Sequence, residues 1–158
     1  VIGQKTASLI SACCEAGANS TTDNKEYQEL MGQFGKYTGI AFQIKDDLFD
    51  FGFGQDIGKP TGIDIKEKKL TLPIIHALEK ASKKDRKWAR NIIKKQNNNP
   101  KKVNELIDWV VASDGISYSE KAMLLYHDKA IEILYKMPKN KYRDSLEGLL
   151  DYTINRKK

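Results

Sequence analysis

Three aspartates stand together in Asp46-Asp47-Leu48-Phe49-Asp50, at the end of the longest stretch with helical apolar spacing. On a helix Asp46 and Asp50, four residues apart, share a face, and Asp47 lies about a third of a turn away. Like charges at this spacing destabilise a helix. The flanks Phe42-Gln43-Ile44 and Leu48-Phe49 are mainly apolar, so the cluster does not read as an ordinary solvated face, and a cation should offset it. Carboxylate oxygens suit a hard ion such as Mg2+, which takes one or two carboxylates and keeps other positions for water and phosphate oxygens.

Acidic triplets occur on many exposed helices, and context is what raises this one. A loop from Phe51 to Gly62 follows, with four glycines and Lys59 between Gly58 and Pro60; Lys66, Lys68 and Lys69 come soon after. Metal-binding acid beside lysines on pliable backbone is what neutralising a departing diphosphate requires.

The elements that must position these groups read as helices. About seven segments have helical apolar spacing and strand-type alternation is hard to find, which predicts an all-α fold. A first helix over Ile2 to Ala18 presents Ile2, Thr6, Leu9, Ile10 and Cys13 and is expected to stop at Gly17. The long helix runs from about Lys25 to Phe51 and contains Gly32, Gly35 and Gly39. Each interior glycine costs about 1 kcal/mol against alanine, so three predict close approach of neighbouring helices. Pro73 suits the first turn of a helix reaching Ala81, and Ser82 with Asp85 reads as the start of the next, which carries Trp88, Ile92 and Ile93 to Gln96. Asn97 to Pro100 is a turn. A helix with Val103, Leu106, Ile107, Val110 and Val111 breaks at Asp114-Gly115. The segment Ser117 to Lys136 is expected to bury Tyr118, Ala122, Leu125, Ala130, Ile133 and Leu134, and a last helix bears Tyr142, Leu146, Leu149, Leu150 and Thr153.

At 158 residues the chain is expected to form one all-helical unit around one core. Mean hydropathy is −0.57, and Leu70 to Leu78, the longest apolar stretch, is interrupted by Thr71, Pro73 and His76, so no membrane-spanning segment is predicted. The first residues do not read as a secretory leader. Cys13 and Cys14 are adjacent, a strained arrangement for a bridge, and lack zinc-ligand spacing; they read as buried or half-buried thiols of a cytoplasmic protein. His76 and His127 have no ligand spacing and read as ordinary helix residues, while Trp88 and Trp109 read as core or interface. The net charge of +6 favours anionic partners, but the clusters at Lys66–Lys69, Lys83–Arg90 and Arg156–Lys158 read mostly as solvated helix faces.

Several segments resemble one family in order. Phe42-Gln43-Ile44-Lys45-Asp46-Asp47-Leu48-Phe49-Asp50-Phe51 resembles the second aspartate-rich motif of the trans-prenyl diphosphate synthases. Gly58-Lys59-Pro60-Thr61-Gly62-Ile63-Asp64-Ile65 is similar to their Gly-Lys-x-x-x-Asp signature, and Glu67-Lys68-Lys69-Leu70-Thr71-Leu72-Pro73 to their Glu-Gly-Lys-x-Thr-Leu-Pro segment, with Lys68 in the place of glycine. Lys5-Thr6-Ala7 resembles the Lys-Thr pair of an earlier helix. The resemblance implies the C-terminal part of the large helical bundle of the isoprenoid synthase fold, a prenyltransferase using Mg2+, and a homodimer. It implies that Asp46, Asp47 and Asp50 bind the metal, that Lys5, Lys45 and Lys59 contact the diphosphate, and that Thr6 and Gln43 lie near the reacting carbons. The substrates implied are isopentenyl diphosphate and an allylic diphosphate. Arg156 lies in a tail similar to the family's end, where a basic residue helps to close the site.

The family's first aspartate-rich motif has no counterpart here, and Val1 falls within the expected first helix. The chain is therefore expected to be an incomplete part of a larger enzyme and inactive alone. Three other readings compete: a noncatalytic subunit regulating a synthase, which would ordinarily lose the aspartates kept here; a basic helical nucleic-acid-binding module, for which aromatics should be interleaved with basic residues on one face; and a terpene cyclase, against which the Phe-Gln-x-x-Asp-Asp and Gly-Lys motifs argue. No nucleic-acid partner is expected.

Overall fold

The computed structural model describes residues 6–53 and 61–157, which are helical with no strand among them. Eight helices form within these residues: α1 (Thr6–Asn19), α2 (Lys25–Phe49), α3 (Ile63–Lys66), α4 (Leu72–Lys80), α5 (Lys83–Lys95), α6 (Pro100–Ala112), α7 (Gly115–Leu134) and α8 (Lys141–Asn155). The chain divides into two compact units, Val1–Lys45 with Ala122–Arg156 and Asp46–Lys121 with Lys157–Lys158.

In the first unit α1 crosses α2 on the three glycines. A Cβ on Gly39 would stand 2.6 Å from the Ala7 Cα, and one on Gly35 would stand 2.7 Å from the Ile10 carbonyl oxygen and 2.9 Å from the Ser11 Cα. A Cβ on Gly32 would meet the Glu15 side chain at 3.3 Å. Glycine spacing thus makes one face of α2 flat enough for backbone to approach backbone, and Ser11 Oγ donates to the Gly32 carbonyl across the crossing at 2.8 Å. Leu30 and Phe34 of α2, Ala130, Ile133 and Leu134 of α7 and Leu150 of α8 form this unit's core.

In the second unit Phe51, Ile65, Ile74, Ala77, Leu78, Ala89, Ile92, Val103, Leu106 and Val110 belong to a second apolar cluster with Trp88 and Trp109 at its margin. Local caps start its helices, at Ser82 and Pro73 as expected and at Asn99 where a turn was expected. Ser82 Oγ accepts from the Asp85 N–H at 3.1 Å, Asn99 caps α6 ahead of Pro100, and Pro73 lies in the first turn of α4. Gly115 is tight for a different reason: a Cβ there would stand 2.6 Å from the Pro73 carbonyl oxygen.

Several sequence expectations need correction. Gly17 does not end α1, which continues to Asn19, because Ser20 and Thr21 hydroxyls donate to the Gly17 and Ala18 carbonyls and cap the end that glycine was expected to close. Ala7, not Leu9, is the buried residue of α1, and Cys13 is exposed while Cys14 is half-buried, its thiol pKa raised first by burial and then by Cys13. Tyr118 and Leu125 of α7, Val111 of α6, and Tyr142 and Leu149 of α8 are exposed; α8 buries Leu150 and Thr153 of its expected apolar set, with Ile154 beside them. The histidines are not featureless. His76 is buried and stacks on Tyr118 with ring centroids 3.9 Å apart, and His127 lies between Asp128 and Asp151, 3.1 and 2.8 Å from their carboxylates.

Candidate active site

The aspartate cluster closes α2, and its positions follow from what the next two helices lack. The N-cap of α3 is Gly62, which has no side chain to offer, and the N-cap of α4 is Thr71, whose buried Oγ1 has no hydrogen-bond partner among the described residues. Both helix starts carry orphan N–H groups. The aspartates accept from them: Asp50 Oδ1 from the Ile63 N–H at 2.8 Å, Asp50 Oδ2 from the Asp64 N–H at 3.1 Å, and Asp47 Oδ2 from the Leu72 N–H at 3.3 Å. The Asp50 carbonyl also accepts from the Gly62 N–H at 2.9 Å. Gly62 makes this approach possible at φ +76°, where a Cβ would stand 2.6 Å from Val103 Cγ1.

Asp47 and Asp50 are 5% and 7% exposed and Asp46 is half-buried. The C-terminal end of a helix carries partial negative charge, so it disfavours carboxylates, and α2 has no basic residue in its last turn. Hydrogen bonds from backbone N–H groups to carboxylates are charge-assisted and offset part of that cost. Among the described residues no three His, Cys, Asp or Glu side chains form a metal cage.

Thr6 and Gln43 belong to the first unit and are brought together. Thr6 Oγ1 donates to Gln43 Oε1 at 2.9 Å, linking α1 to α2 across a separation of 37 residues. The Thr6 hydroxyl is therefore turned toward α2 rather than back into its own helix. Lys45 is buried at 6% exposure on α2. Arg156 stacks its guanidinium 4.1 Å from the centroid of Phe42, the neighbour of Gln43 in sequence. Lys5 and Lys59 lie outside the described residues.

The lysines after the loop divide in role. Lys69 is mostly exposed and pairs with Glu67 and with Asp64, which together raise its pKa, so it does not stand as a counter-charge waiting for a ligand. Lys68 adopts φ +59°, the left-handed region where glycine is favoured, which explains glycine at that place in the similar motif. Lysine there costs about 1–2 kcal/mol, and glycine returns part of it as unfolded-state entropy. Lys68→Gly is therefore expected to raise unfolding stability by about 0.5–1 kcal/mol, read from urea midpoints. A loss of stability would mean that the Lys68 side chain holds the turn.

The all-helical architecture, with an acid cluster buried against two helix starts, is that of an isoprenoid synthase fold. The decaprenyl diphosphate synthase structure from Rhodobacter capsulatus matches with a TM-score of 0.90 at 32% identity, covering 99% of this chain and 49% of that one. The geranylgeranyl pyrophosphate synthetase structure from Pyrococcus horikoshii matches with a TM-score of 0.88 at 35% identity, covering 99% and 47%. The family model described as polyprenyl synthetase matches residues 1–110, and the chain belongs to that family. It is 33% identical over 153 residues to the chloroplastic solanesyl diphosphate synthase 1 of Arabidopsis thaliana, covering 96% of this chain and 36% of that protein. It is 30% identical over 157 residues to heptaprenyl diphosphate synthase component 2 of Bacillus subtilis, covering 99% and 44%. The chain spans between a third and a half of the length of these relatives. Among the described residues no helix is long and apolar enough to cross a membrane.

Proposed function

We propose that the chain supplies one of two metal and diphosphate sites of a prenyltransferase that condenses isopentenyl diphosphate with an allylic diphosphate. The observation that supports this is the anchoring of Asp50 and Asp47 by backbone N–H groups of α3 and α4, which holds acid at a helix end where acid is otherwise unfavourable.

The donor set fits Mg2+. It offers hard carboxylate oxygens, the ligand type of an ion that commonly takes one or two carboxylates and fills its shell with water and phosphate oxygens. Bound there, Mg2+ would supply positive charge to the diphosphate as it departs.

The chain's residues do the rest. Asp46, Asp47 and Asp50 hold the ion, and Lys5, Lys45 and Lys59 contact the diphosphate. Thr6 and Gln43 present oxygen dipoles to cationic carbon, and their mutual hydrogen bond orients both. The carbon–oxygen bond of the allylic diphosphate breaks, its electron pair leaving with the diphosphate. The alkene of isopentenyl diphosphate attacks the allylic cation, and loss of a proton restores the alkene.

The test is incorporation of labelled isopentenyl diphosphate into extended product from farnesyl diphosphate. Protein carrying both aspartate-rich motifs should incorporate label with Mg2+ and lose incorporation with a chelator. The 158-residue chain alone should give none, because charge stabilisation from one side of the diphosphate is insufficient. Turnover by a monodisperse sample of this chain would remove the two-site reading.

A further inference from the structure

The chain's positive charge is concentrated on one helix. Helix α5 holds seven of the 27 lysines and arginines and one of the 21 acids, so the remaining residues are balanced at 20 of each and α5 alone accounts for the net charge of +6. Its apolar side, Ala89, Ile92 and Ile93, is buried in the core of its unit. Arg86 is used internally, donating to the Leu78, Glu79 and Ala81 carbonyls at the end of α4. The other six, Lys83, Lys84, Lys87, Arg90, Lys94 and Lys95, are exposed, and no acid among the described residues pairs with them.

Aliphatic surface adjoins this charge. Leu70 is 54% exposed and Ile75 38% exposed, and both line a shallow groove with Leu78, Glu79, Arg86 and Arg90. Six unpaired cations over a helix of 13 residues, beside two exposed aliphatic side chains, have the composition that adheres to an anionic bilayer surface. Single-stranded nucleic acid is the poorer match, because base stacking needs exposed aromatic rings among the basic residues. Trp88, the aromatic residue of α5, is half-buried and packs edge-on against Trp109 with ring centroids 5.8 Å apart.

We propose that the exposed face of α5, with Leu70 and Ile75, is a peripheral docking surface for anionic lipid headgroups. It stands independently of the enzymatic reading.

Flotation with two kinds of vesicle tests this: pure phosphatidylcholine, and phosphatidylcholine with about a quarter phosphatidylglycerol. The protein should bind only the anionic vesicles and release as ionic strength rises. The combined variant Lys83→Gln, Lys87→Gln, Arg90→Gln and Lys94→Gln should bind them more than about 50-fold more weakly. Glutamine keeps the helix, since its propensity is close to that of lysine. A control replacing the exposed Lys36, Lys121, Lys136 and Lys139 with glutamine removes the same charge elsewhere and should retain most of the binding. Equal loss in the control, equal binding to neutral vesicles, or no binding to anionic ones would overturn the proposal. Tighter binding to a single-stranded oligonucleotide than to anionic vesicles would overturn it in favour of nucleic acid.

Discussion

Gly39→Ala is expected to destabilise the protein by about 2 kcal/mol, while Gly17→Ala, the same change within α1, is expected to stabilise it by about 0.5–1 kcal/mol. The two differ in what the added methyl group meets. At Gly39 it would lie 2.6 Å from the Ala7 Cα and 3.1 Å from the Ala7 Cβ, atoms that no rotamer change can move, so α1 itself must shift. Overpacking of this kind costs about 1–3 kcal/mol, and contact with backbone belongs at or above the upper end. The helix-propensity gain of about 1 kcal/mol recovers only part. At Gly17 nothing lies within 4 Å, so only the propensity gain remains. The shift should reach the candidate site as well, because Ala7 follows Thr6, whose hydroxyl donates to Gln43 four residues beyond Gly39. Thr6→Val should therefore cost less stability in a Gly39→Ala background than in the wild type, a coupling that a double-mutant cycle measures. Equal stabilisation by both glycine replacements would show that the helix crossing is not tight.

The second large effect separates function from folding within the aspartates. Asp46→Ala should lower turnover by about 100-fold or more at limiting Mg2+, since an ion with few protein ligands loses one of them. The change also relieves repulsion from Asp50 and removes charge from the negative end of α2. Asp50→Ala should lower turnover similarly and also destabilise the fold by about 1–3 kcal/mol. The reason is that the Ile63 and Asp64 N–H groups at the start of α3 lose their acceptors and Gly62 offers no replacement. Steady-state kinetics across a Mg2+ titration, paired with urea denaturation, reads both quantities. Unchanged turnover in Asp46→Ala would remove the metal assignment. Loss of turnover only in Asp50→Ala, tracking the loss of stability, would leave the aspartates as helix caps and nothing more.

What could be read from the sequence here is what local chemistry decides. Ser82 with Asp85 and Pro73 marked helix starts correctly, because a cap acts within one turn of backbone. Gly32, Gly35 and Gly39 foretold a close crossing, because glycine repeated inside a helix has a cost that contact with a neighbour can offset. The concentration of charge on α5 was also countable in the sequence, though its exposure was not. Tertiary structure decided the rest. Leu125, Tyr142 and Leu149 fit apolar spacing yet face outward, because periodicity defines a stripe and packing chooses which part of it is covered. His127 meets Asp151 across 24 residues, and Asp47 and Asp50 reach the starts of α4 and α3 across 25 and 13. Those pairings depend on where whole helices come to rest. A run of acids could signal that something must offset it, but only the fold shows that backbone N–H groups already do part of that.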